Sequence, residues 1–146
     1  MPCARRREIV IRSVLTLMGA ITATPVFALV APDTLAGVYG VRDLEPMALA
    51  LLQHRGMLQM VLGAALVCAA WVPAARVPAA VAAITTKSTF LALTMPQPEL
   101  PAAFRLVVAF DVTCIVVLAG ICVQRARERA SRYVVKSGTV STRKDG

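Results

Sequence analysis

Five polar residues interrupt the apolar stretches of this chain where chemistry could be done: His54, Arg55 and Gln59 in one stretch, Lys87 in another and Asp111 in a third. Ionised side chains inside an apolar run cost about 2.5–3.5 kcal/mol each on insertion scales, and they mark functional positions by default. Asp111 and His54 are the candidates for moving a proton. Arg55, Gln59, Lys87 and Asp111 are the candidates for holding a polar or anionic group. Arg55, Gln59 and Gly63 recur every four residues, which aligns them along one face of a helix. Asp111 and Cys114 share a face by the same rule, whereas His54 points about a quarter-turn away from Arg55.

Arg55 lies eight residues past Met47, Lys87 eight before Met95 and Asp111 eight past Ala103. If successive apolar runs cross in alternate directions, all three sit roughly 12 Å from the same end. Charges at one depth on different helices can satisfy each other, so the spacing predicts an Arg55–Asp111 or a Lys87–Asp111 pair. Thr85, Thr86, Ser88 and Thr89 surround Lys87, and such hydroxyls need partners within the protein.

Other chemistries lack their residues. One histidine leaves no two-histidine metal site, and Cys3, Cys68, Cys114 and Cys122 contain no Cys-x-x-Cys pair, so neither a metal nor a redox dithiol is expected. Nucleotide-binding glycine motifs and the Gly-x-Ser-x-Gly elbow are missing, and no cofactor is implied. Small multidrug exporters rely on a carboxylate in the first span, which this chain does not have. A Gly-x-x-x-Gly pairing face is also missing, although Gly56 and Gly63 permit close approach one heptad apart. Cys3 is read as a plain residue rather than an acylation site.

The elements that must position these residues follow from hydropathy. Of 146 residues, 58% are hydrophobic and 16% charged, too apolar for a soluble domain of this size. Four spans are expected, at 13–31, 47–72, 79–95 and 102–123, forming an all-α transmembrane bundle. Residues 1–12 form a basic N-terminal flank and 124–146 a basic tail, helical at first and then too polar to pack. The first run could also be a cleaved signal peptide ending near Val26-Phe27-Ala28, but its length and the flanking Pro25 and Pro32 favour a retained span.

Charge orients this threading. Arg5, Arg6, Arg7, Arg12, Arg76, Arg125, Arg127, Arg129 and Arg132 fall on one side, while Asp33, Asp43, Glu45 and Glu99 fall on the other, with Arg42 the exception. The basic side is expected to be cytoplasmic, with both termini there. The net charge of +8 then points to anionic headgroups as partners. No aromatic-interleaved basic platform supports binding to nucleic acid.

Leu35-Ala36-Gly37-Val38-Tyr39-Gly40-Val41, Leu52-Gln53-His54-Arg55-Gly56, Lys87-Ser88-Thr89-Phe90 and Phe110-Asp111-Val112 resemble a family of small bacterial four-span proteins. Its members often carry the label phosphopantetheine adenylyltransferase, and its architecture is similar to DoxX-like families. The enzyme behind that label is a soluble α/β nucleotidyltransferase with a histidine-containing nucleotide motif, which has no counterpart here. The resemblance therefore implies a fold and a recurrent His-Arg and Asp pattern rather than adenylyl transfer.

The leading expectation is a multi-pass protein of the bacterial inner membrane. It would bind a lipid-like or polar-headed ligand in an outer-half pocket, or serve as an accessory membrane subunit. The alternatives are an intramembrane isomerase or cyclase using Asp111 as acid–base, and a small transporter. Membrane lipids, a second copy or a membrane partner are the expected company. A purely structural clamp of Asp111 with the cations competes with all of these.

Overall fold

The computed structural model describes residues 2–31, 45–96 and 102–141. The Leu35–Val41 motif, Asp33, Arg42, Asp43 and Glu99 lie outside them, as do residues 142–146. Among the described residues the chain is all-α with no strand: α1 (Pro2–Ala23), α2 (Pro46–Trp71), α3 (Arg76–Thr94) and α4 (Ala102–Ser141). Each of the four contains a segment long and apolar enough to cross a membrane: Arg5–Phe27 (running past α1), Pro46–Trp71, Pro73–Thr94 (entering α3) and Phe104–Glu128.

Prolines set most of the boundaries. Pro46 opens α2 after an extended Glu45 (φ −53°, ψ 141°), at the position where a missing N–H leaves no bond unmade. Val72 is extended (φ −106°, ψ 97°) ahead of Pro73, because the proline ring disfavours the helical region for its predecessor. α3 begins at Arg76 rather than the expected Ala79, with Pro78 inside its first turn, where its lack of an N–H is harmless. Pro25 has the opposite effect on α1: the α-helix stops at Ala23 and tightens into a 3-10 turn over Thr24–Leu29.

Two helices outrun the apolar segments that announced them. α1 starts at Pro2 and absorbs the basic flank, where Arg12 Nε donates to Glu8 at 3.0 Å across one turn. α4 continues to Ser141, well past Val123 and through much of the stretch expected to lose structure. Gln124-Arg125-Ala126-Arg127-Glu128-Arg129 is built from strong helix formers, and Arg125 pairs with Glu128 at 3.6 Å.

α1 lies along α2, α2 against α3, and α3 along α4. The core is made from Leu15 and Met18 of α1, Leu66, Ala69 and Ala70 of α2, Ala79, Ala80 and Ala83 of α3, and Cys114, Leu118 and Ile121 of α4. Small residues dominate it, which lets backbones approach closely in the manner of membrane helices. The closest approach joins α1 to α2: a Cβ on Gly19 would lie 2.6 Å from the Gly63 carbonyl oxygen, and one on Gly56 would lie 2.6 Å from that of Pro25. Gly56 and Gly63 thus work one heptad apart, Gly63 against Gly19 and Gly56 against Pro25.

Large aliphatic side chains point outward instead. Leu106 is 75% exposed and Leu17 63%, with Leu51, Leu58, Val61 and Val116 similarly open, while Arg76, Lys87 and Asp111 are buried. This inversion makes sense only with hydrocarbon as the surrounding solvent. The chain has the make-up of a multi-pass membrane protein.

Candidate functional site

Lys87 on α3 and Asp111 on α4 form the buried ion pair, Lys87 Nζ donating to Asp111 Oδ1. They are 3% and 4% exposed. Of the two pairings that the spacing allowed, the bundle makes this one because α3 and α4 lie alongside each other. Lys87 Nζ also lies 5.1 Å from the ring centroid of Phe110, whose negative face attracts the ammonium group.

Arg55 is not joined to Asp111. Its guanidinium stands 4.1 Å from the ring centroid of Phe90, and Phe90 meets Phe104 at 5.5 Å with the rings tilted by 58°. Phe90 is three residues beyond Lys87, about 4.5 Å along the axis. Arg55, Phe90 and Phe104 therefore form a row from α2 through α3 to α4, next to the ion pair and on its side away from the basic end. Arg55 is half-buried, so the row links the paired charges to the bundle surface.

Gln59 is buried, and its Oε1 has no hydrogen-bond donor among the described residues. It lies between Gly56 and Gly63 on the side of α2 that meets α1. The register set by Gly19 with Gly63 and Pro25 with Gly56 places it opposite Thr22, whose hydroxyl is also buried and unpartnered among the described residues. The expected Arg55, Gln59 and Gly63 stripe is therefore shared between two neighbours, its Arg55 edge on α3 and its glycine edge on α1.

The structure does not bring His54 into this group. Its side chain is exposed, while Asp111 is buried against Lys87, so the two candidate proton carriers are kept apart. The hydroxyls near Lys87 also differ from expectation. Thr86 and Thr89 are exposed and donate to Ala82 O at 2.8 Å and Thr85 O at 2.9 Å. Each satisfies itself on its own helix. Cys114 is buried on the Asp111 face, and Cys68, Cys114 and Cys122 are free thiols. No cluster able to hold a metal occurs among the described residues.

A second buried charge was not anticipated as a site. Arg76, read from the sequence as one of the basic residues flanking the spans, is 0% exposed. Its Nη2 meets Glu8 Oε1 at 2.5 Å and its Nη1 meets Glu8 Oε2 at 3.0 Å. Nε and Nη2 also donate to the carbonyls of Ala69 and Ala70, each at 3.0 Å. These belong to the last turn of α2, where carbonyls have no partner within the helix. One guanidinium fork therefore caps α2, begins α3 and binds α1. Two signals pointed to it: Glu8 is the lone acid among Arg5, Arg6, Arg7 and Arg12, and Pro73 ends α2 a few residues before an arginine.

The same end carries further ties. Arg7 bonds to Glu128 at 2.5 Å and to Gln124 Oε1 at 2.9 Å, and Arg12 lies 5.7 Å from the Trp71 ring centroid. These contacts gather the basic part of α1, the end of α2, the start of α3 and the basic part of α4 at one end of the bundle. The Lys87–Asp111 pair sits away from that end. Compared with protein-family models, curated proteins and solved structures, the chain matches none.

Proposed function

We propose that this is a ligand-binding protein of the bacterial inner membrane, with both termini cytoplasmic, that holds a lipid-like molecule by its polar head in the outer half of the bundle. Kinship with the four-span family it resembles is part of this reading. The observation that carries it is the buried Lys87–Asp111 pair, with Arg55 over the ring of Phe90, three residues along α3 from Lys87. A register clamp needs only Lys87 and Asp111, and Arg55 adds a second cation over the neighbouring Phe90 ring. Arg55, at the half-buried edge, supplies the cation that faces the head group. The paired charges behind it, and Gln59 nearby, supply a polar back wall. Membrane lipids are the source of the ligand, and service as an accessory subunit is compatible with the same site.

Mass spectrometry of lipid copurified in mild detergent tests this. The wild type should carry a defined polar-headed lipid, and Arg55→Gln should lose it while accumulating normally. Identical lipid content in both would leave the polar cluster as a helix clamp.

A further inference from the structure

We infer that the seam between α1 and α4, at the basic end, is a binding groove for one anionic glycerophospholipid. It goes beyond the outer-half reading and lies on different helix faces. α1 and α4 are tied by Arg7 to Gln124 and Glu128, and below that tie they leave a groove of about 470 Å³. That volume falls within the range of about 300–1,000 Å³ usual for small-molecule sites.

The groove has the polarity of an amphiphile. Val10 and Val14 wall it on α1, and Val117 and Ile121 on α4. Residues at these spacings repeat along one face of each helix, giving an apolar channel roughly 6 Å long between their backbone positions. Arg6, Arg7 and Gln124 line its basic end. The acids nearby are already engaged, Glu8 by Arg76 and Arg12 and Glu128 by Arg7 and Arg125. Arg6 forms no ion pair among the described residues. Phosphate at Arg6, with acyl chain along the valines, matches both halves of the channel.

A second copy of the chain is the competing occupant. Copies in one membrane with the same orientation would bring basic ends to the same level, setting like charge against Arg6. The observations therefore favour a lipid.

Gly120 supplies the test. It lines the groove, and a Cβ built on it meets nothing within 4 Å, so a larger side chain fills the channel without entering the core. Leucine is also the better helix former. The full chain is reconstituted in nanodiscs of phosphatidylcholine doped with phosphatidylglycerol, and retained lipid is read by native mass spectrometry. The wild type should retain phosphatidylglycerol preferentially, and Arg6→Gln should weaken that preference roughly fivefold, the usual effect of one interfacial charge. Gly120→Leu should release the lipid with unchanged thermal unfolding. Equal retention of the two lipids by the wild type overturns the proposal, as does undiminished phosphatidylglycerol on Gly120→Leu. A variant that changes oligomeric state but not lipid content also overturns it and assigns the groove to a second copy. Gly120→Leu leaves Arg55, Lys87 and Asp111 untouched, so its outcome is independent of the Arg55→Gln experiment.

Discussion

Two ion pairs reach into the bundle, one with its carboxylate about a third exposed and one buried on both sides, and they are built differently. Arg76 is surrounded: Glu8 takes both ends of its fork, and two backbone carbonyls of α2 accept from Nε and Nη2. Lys87 has a single carboxylate and one aromatic face. The first pair joins three helices and replaces bonds that the backbone of α2 would otherwise lack. The second joins only α3 to α4 and satisfies nothing but itself. A guanidinium can act as a structural hub because its donors are many and fixed in a plane. An ammonium opposite one carboxylate leaves its surroundings freer for another task.

Replacing one partner should be costly at both places and greatest at Lys87–Asp111, where either single replacement leaves an uncompensated buried charge at a cost of about 3–5 kcal/mol. Arg76→Met strands two carbonyls and leaves Glu8, about a third exposed, to Arg12 and solvent, and thermal unfolding in detergent should show a loss of about 1–3 kcal/mol, the usual range for buried groups left without a hydrogen-bond partner. The double variants separate the pairs. Lys87→Met with Asp111→Leu should be as stable as the wild type or more so, because hydrophobic replacement of a buried pair is commonly neutral to favourable by about 1–4 kcal/mol. Glu8→Gln with Arg76→Met should remain destabilised by about 1–3 kcal/mol, since the Ala69 and Ala70 carbonyls still lack donors. Equal behaviour of the two doubles would erase the distinction. The smallest effect belongs to the exposed tie at the same end as the hub. Arg7→Gln should cost no more than about 1 kcal/mol, and added salt should shrink the difference further.

Much of this was legible in the residues, and the parts that were not share a cause. α2 was placed to within a residue at each end because its apolar run is bounded by prolines. Lys87 and Asp111 stood out because a charge inside an apolar run has few ways to be satisfied. Arg76 did not, because it lies beside a turn and resembles the interfacial arginines that flank most spans; its burial depends on Glu8, 68 residues earlier. The ends of α1 and α4 were misjudged because hydropathy measures how much of a helix lies in hydrocarbon, whereas the helix itself continues wherever its backbone bonds are met. Arg55 was matched to Asp111, as an alternative to Lys87, and not to its aromatic partner Phe90, since depth alone does not reveal which neighbour a helix faces.

The separation of Lys87 from Asp111 by 24 residues also bears on how the chain enters its membrane. During synthesis α3 emerges while its counter-charge is still unmade, and the helices already in place offer no carboxylate at that level. Entry of α3 alone would place an uncompensated ammonium in hydrocarbon at about 2.5–3.5 kcal/mol, a cost that entry of α3 and α4 together as a hairpin avoids.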